Sequence, residues 1–132
     1  MTHPLQALRA AVRGALAADP ALTALLGGPR VWDEPPRAGE PPYVTFGTAT
    51  VRPWPPGGHR HAFTLVAWSR QGGDGEALAV LDRIAALCTD ASLVLDGHRL
   101  VLLSAAGTEV RRPDATGLRR AVLSLSALTE PA

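Results

Sequence analysis

The chain contains no lysine, no asparagine, one cysteine (Cys88) and one methionine, and only 5% of its residues are aromatic. A lone cysteine excludes an internal disulfide framework and a cysteine-rich zinc site. Apolar runs are short; those around Leu25 and Leu100 stop far below the roughly 20 residues a membrane-spanning helix needs. The start, Met1-Thr2-His3-Pro4, lacks the charged-then-apolar order of a secretory signal, and Arg9 and Arg13 interrupt the segment after it. Charge of one sign is also lacking: the net charge is +1, so a dedicated nucleic-acid module, which carries a marked basic excess, is not expected. A soluble product of a bacterial cytoplasm, with no membrane contact, is the reading.

The missing lysine has a genomic explanation. All 13 basic side chains are arginine, and Ala, Gly, Pro and Arg together make up 61 of 132 residues. These residues use GC-rich codons, whereas Lys and Asn use AT-rich ones. No single arginine is therefore singled out merely for not being lysine.

What is present is material for a core. Apolar residues are 46% of the chain, and its length fits one domain over residues 1–132. Leu5, Leu8, Val12, Ala15 and Leu16 recur at three- and four-residue spacing, which predicts a helix over 4–18. Pro4 suits its first turn. Asp19 and Pro20 read as cap and first residue of a second helix over 20–26, ended by Gly27-Gly28-Pro29. Its buried side is Leu22, Leu25 and Leu26. Residues 30–33 read as a short strand, followed by a stiff proline-rich connection over 34–42.

Aromatic and β-branched residues then predict strands over 43–52 and 62–69. Between them, Pro53-Trp54-Pro55-Pro56-Gly57-Gly58-His59 reads as a long hairpin tip outside any ladder. After Gln71-Gly72-Gly73, Asp74 caps a helix with the stripe Ala77, Leu78, Leu81, Ile84, Ala85 and Cys88. Asp96-Gly97 marks a tight hairpin between 93–95 and 98–106. Residues 107–116 read as a connection, and 117–128 as the last strand. Strands that run together imply an α+β fold. The expected sheet is mostly antiparallel with a long hairpin, packed by the N-terminal helix and one central helix.

Reactive motifs are weak. His59 and His61 would point the same way from a strand, but a catalytic zinc needs a third protein ligand that no spacing supplies. They read as an exposed hairpin shoulder. Cys88 sits on an apolar helix stripe, where cysteine is usually core. No serine lies in a Gly-x-Ser-x-Gly elbow. Gly73-x-Gly75 opens a helix, but Leu78 stands where a dinucleotide loop needs its third glycine. No catalytic residue, cofactor or metal is expected.

Trp54 stands between prolines, with Arg52 and Arg60 beside the loop base. It either folds back onto the sheet or anchors a partner, since Trp and Arg are enriched at interface hot spots. Trp32 and Trp68 read as core or sheet-face residues.

The order and spacing of several segments resemble a known family. They are Leu5-Gln6-Ala7-Leu8, Ala18-Asp19-Pro20 with Leu22, and Arg30-Val31-Trp32-Asp33. Further along come Pro42-Tyr43-Val44-Thr45-Phe46-Gly47, Val66-Ala67-Trp68-Ser69-Arg70, the helix over 76–87 and the closing 119–131. Across nearly the whole chain these resemble the tail-terminator, or tail-completion, proteins of long non-contractile phage tails and phage-like gene transfer agents.

The resemblance implies a structural, non-enzymatic virion protein at the tail–head junction. It implies a homo-hexameric ring on the head-proximal end of the tail tube that stops polymerisation. The implied partners are the tail tube protein and a head-completion or stopper protein, with DNA passing unbound through the lumen. Arg52, Trp54, His59, Arg60, Arg111 and Arg112 are the interface candidates, for the length and Trp/Arg content of the 52–60 and 107–116 segments. The alternatives are another neck or stopper component, and a small cytoplasmic ligand-binding α+β domain.

Overall fold

The computed structural model describes residues 2–34, 40–70, 74–89, 92–113 and 117–132. Parts of the expected connections, at 35–39, 71–73 and 114–116, lie outside the described residues. Helix α1 (Pro4–Ala17) starts with proline at N1 and is capped by His3, whose Nδ1 accepts from the Leu5 amide at 3.1 Å. Helix α2 (Pro20–Leu26) is capped by Asp19, whose Oδ2 accepts from the Leu22 amide at 2.8 Å. It closes on Gly27 at φ 78°, the left-handed conformation that glycine adopts without a Cβ clash. Helix α3 (Gly75–Thr89) is the longest of the described helices.

The strands are β1 (Val31–Trp32), β2 (Tyr43–Trp54), β3 (Gly58–Ser69), β4 (Val94–Leu95), β5 (His98–Arg111) and β6 (Arg119–Pro131). They form one six-stranded sheet in the order β1-β2-β3-β6-β5-β4. Only β1 and β2 run parallel; the other neighbours are antiparallel. The fold is α+β with a mostly antiparallel sheet.

Side chains alternate across a strand, and so does the burial. On β3, Phe63, Leu65 and Ala67 are buried; their register partners on β6, Leu125, Leu123 and Ala121, are buried with them. This face meets α3, which packs on β3, β5 and β6, while α2 lies against α3 and α1 reaches β1 and β4. Leu8, Leu16, Leu22, Leu65 and Ile84 are at most 1% exposed. Each such side chain contributes about 1.5–3 kcal/mol relative to exposure. The opposite face carries Ala62, Thr64, Val66 and Trp68 of β3 and Ser124, Ser126 and Leu128 of β6, and all of these stay exposed or half-buried.

Several expectations need correction. The β2–β3 ladder continues through Pro53↔His59 to Trp54↔Gly58, so the hairpin has a three-residue turn, Pro55-Pro56-Gly57, instead of a long tip. Proline is tolerated because β1 pairs only with Val44 and Thr45, which leaves Pro53 on a free edge where no second neighbour needs its N–H. Likewise β5 runs on to Arg111, paired with Arg120. Gly107 does not break it, because a register shift between Ala105 and Gly107 absorbs the irregularity. His61 is wholly buried and is no exposed shoulder. On α1, Ala7 is buried and Ala15 exposed, and on α2 Leu25 is 42% exposed. The stripe on each helix is thus rotated slightly from the one that spacing suggested.

Candidate functional site

The helix-free face of the sheet is the candidate site. Its centre is paved with small residues, mostly hydroxyl-bearing: Thr48, Thr50, Ala62, Thr64, Ser124 and Ser126 are among those lining a shallow concavity of about 260 Å³. At one end, Arg52 and Arg60 stand directly opposite each other in the β2–β3 register. Both are exposed, and neither has an ion-pair partner among the described residues. At the other end, Arg111 stands opposite Arg120 in the β5–β6 register. Like charges directly opposite each other destabilise a ladder.

The two ends are stabilised differently. Arg120 lies over the Trp68 ring at 5.5 Å, and Arg111 pairs with Glu109 at 3.6 Å on the rim. Trp68 stacks on Tyr43 at 6.0 Å, and Tyr43 meets Trp32 at 5.7 Å. The indole Nε1 of Trp68 donates to Thr45 Oγ1 at 2.9 Å. This Trp32–Tyr43–Trp68–Arg120 row was not anticipated as a unit. The β2–β3 hairpin pairing Tyr43↔Trp68 is the signal that could have found it.

The anticipated residues therefore divide into two groups. Arg52, Trp54, His59 and Arg60 gather where β2 turns into β3; Arg111 and Arg112 lie at the opposite end. On β6 the register partners of Arg60 and Arg111 are Leu128 and Arg120, eight residues apart, or about 26 Å of strand. Trp54 is half-buried against its own hairpin: a Cβ on Gly58 would come within 2.9 Å of the indole. His59 is half-buried with its ring 6.5 Å from His61.

Burial pushes the Cys88 thiol up to about 11, which leaves little thiolate at neutral pH. Among the described residues, no group of three His, Cys, Asp or Glu is placed to hold a metal ion. No helix among them is long and apolar enough to cross a membrane.

The outer edges of the sheet are open. β4 pairs with His98 and Arg99 of β5, so the outer edge of β5 beyond Arg99 has no strand neighbour among the described residues. Four of the exposed large apolar residues lie on these two strands: Val94 (93% exposed), Val101, Leu102 and Val110. A long apolar edge strand is a template for pairing with another chain.

Comparison with known proteins adds identity to this geometry. Residues 10–130 match the family of the tail completion protein gp17. A chain in the solved structure titled "Virion of native gene transfer agent (GTA) particle" is 32% identical to this one and superposes with a TM-score of 0.84. That match covers 98% of this chain and 99% of the other. No curated protein sequence matches.

Proposed function

The chain belongs to the tail completion protein gp17 family, a family of structural virion proteins, and from that membership we propose how it completes a tail. Copies of the chain, each acting as one domain over residues 1–132, close into a homo-hexameric ring on the head-proximal end of the tail tube. The ring ends tube growth, receives a head-completion or stopper protein, and leaves a lumen through which DNA passes. It does so without catalysis, within a phage-like or gene-transfer-agent particle.

The observation that carries this reading is the unfinished sheet. Its β5 edge beyond Arg99 and its β2 edge beyond Thr45 have no strand neighbour among the described residues and lie on opposite sides. Two different, complementary edges are what a head-to-tail contact uses, and head-to-tail contacts generate rings. The exposed Val101, Leu102 and Val110 give such a contact apolar surface to bury. The two arginine pairs support separate contacts along the tail axis. Arg52, Trp54, His59 and Arg60 would meet one neighbour, and Arg111 and Arg112 the other. The Arg52/Arg60 pair, which no carboxylate compensates among the described residues, favours an acidic surface opposite. The net charge of +1 gives the ring little hold on phosphate, which suits a conduit.

Light scattering after gel filtration, across a concentration series, tests ring closure. A particle near six times 13.8 kDa is the expected species. A chain that stays monomeric is then tested on tails assembled without it, which should be overlong. Normal tail length in its absence overturns the tube-stopping role and leaves a stopper or other neck component. A stable dimer overturns the ring.

A further inference from the structure

The register places one row of side chains across four strands of the helix-free face. Arg52 of β2 stands opposite Arg60 of β3, Arg60 opposite Leu128 of β6, and Leu128 opposite Leu102 of β5. Half of the row is cationic and half is apolar. Arg52 and Arg60 are exposed and have no ion-pair partner among the described residues. Leu102 is 51% exposed, at the corner where the open edge of β5 meets this face, and Leu128 is half-buried. A concavity of about 160 Å³ opens beside them, with Arg60, Ala62, Leu102, Ser126 and Leu128 among its walls.

The next row is Thr50, Ala62, Ser126 and Ser104. These side chains are small, so the backbone of a bound segment can approach the sheet closely. Their hydroxyls offer that backbone hydrogen-bond partners, and Ser104 and Ser126 also bond each other at 3.2 Å. The concavity at the centre of the face shares Ala62 and Ser126 with the one beside the leucines, so the two form one trough.

We infer that this row is a docking site for an extended segment of a partner protein in which an apolar and an acidic residue stand two apart.

The spacing comes from the sheet. Neighbouring strands lie about 4.8 Å apart, so the middle of the arginine pair is about 7 Å from Leu128. Side chains two residues apart on an extended chain point the same way and are also about 7 Å apart. A segment lying across the strands can therefore set its carboxylate between Arg52 and Arg60 while its apolar side chain enters the concavity beside Leu128 and Leu102. The carboxylate offsets the like-charge repulsion of the arginine pair and accepts charge-assisted hydrogen bonds from it. A nucleic-acid backbone offers charge but no aliphatic group for the leucine half. Segments 32–34 and 94–96 of this chain have the required pattern. Trp32 packs on Tyr43, however, and Asp96 is bonded by the Thr2 hydroxyl, so the occupant belongs to a different protein. The site rests on the reading that Arg52 and Arg60 meet a neighbour along the tail axis, and it specifies that neighbour's chemistry.

NMR titration of the methyl-labelled full chain with the end-capped peptide SLSES tests the site. The expected result is a saturable shift of the Leu102 and Leu128 methyl groups. The peptides SLSQS and SSSES, which lack the acid and the apolar group, should bind at least about fivefold more weakly. Arg60→Gln and Leu102→Ser should weaken SLSES by a similar factor. No saturable shift overturns the proposal, as does equal binding of SLSQS. Tighter binding of a short oligothymidylate at the same methyl groups gives the site to nucleic acid and overturns it. Intermolecular Overhauser contacts from Leu128 to Trp32 or Val94 in a mixed-label sample without peptide seat a second copy there, and overturn it too. A negative titration while Arg60→Glu still blocks particle assembly overturns this site alone. A chain that forms no ring, and whose absence leaves tail length normal, overturns the larger reading.

Discussion

Arg52 and Arg60 face each other across the β2–β3 ladder on the helix-free side of the sheet, two exposed guanidinium groups with no carboxylate paired to either among the described residues. The isolated chain bears a like-charge repulsion there that an acidic partner would relieve. Arg60→Glu converts it to an opposite-charge pair, which should stabilise the isolated chain by about 0.2–1 kcal/mol. The same change should weaken assembly into particles. Urea denaturation of the purified chain and particle yield should therefore move in opposite directions. A variant that gains stability and assembles normally would remove this end of the sheet from the interface.

The separation of the two arginine ends predicts two distinct assembly defects. Trp54→Ala with Arg60→Ala, and Arg111→Ala with Arg112→Ala, should each disturb one junction. One set should give overlong tubes, and the other capped tails that do not join heads. Electron microscopy of tail length and head attachment distinguishes them. Normal tails and normal joining in both sets would sink the assignment of these residues to contacts.

Asp19 ties α2 to α3. Arg83 grips it through Nε to Oδ2 at 2.9 Å and through Nη2 to Oδ1 at 2.7 Å, while Oδ2 also caps α2. The Arg83 hydrogen bonds, more than the cap, hold the carboxyl down to about 2 from its ordinary 3.8. A carboxyl depressed on folding stabilises the protein above its unfolded value and loses that contribution as the pH falls from 3.8 towards 2. Asp19→Ala, which removes cap and ion pair together, should lower the melting temperature at pH 7 by several degrees. Arg83→Met should lower it less. The gap between Asp19→Ala and the parent protein should narrow in acid melts; an unchanged gap at pH 2 would contradict the assigned cause.

Gly58 is held by close approach. A Cβ there would lie 2.6 Å from the Thr129 carbonyl oxygen and 2.9 Å from the Trp54 ring. Gly58→Ala should cost about 1–3 kcal/mol through overpacking. It should also raise the exposure of Trp54, read as a red shift in tryptophan fluorescence. Gly14→Ala is the control: a Cβ there meets nothing within 4 Å, and alanine favours a helix by about 1 kcal/mol, so stability should rise.

Cys88 is buried and free, with its thiol pushed up by desolvation. Its alkylation at neutral pH should be slow in the folded protein and become fast only in denaturant. Rapid modification of the native chain would contradict the packing of α3 on the sheet.

The local chemistry was legible in the residues themselves. Asp19-Pro20 and Gly27 bound α2 because a cap, a fixed φ and a positive φ are short-range requirements. The apolar stripe of α3 and the Asp96-Gly97 turn arise from period and turn chemistry in the same way. The hairpin ladder through Pro53 was not legible, because whether proline breaks a strand depends on whether it stands on an edge, and the edge is set by where β1 stops. Nor could spacing reveal that Arg111 faces Arg120, that Trp68 lies between Tyr43 and Arg120, or that four histidines from three elements share one corner. Those are contacts between residues far apart in the chain. The sequence alone determined the three helices and the central stretches of the long strands, through interactions spanning a few residues; how far β2, β3 and β5 extend depended on their neighbours. Strand order and register, which only the tertiary structure decided, chose which side chains became neighbours and which face of the sheet was left uncovered.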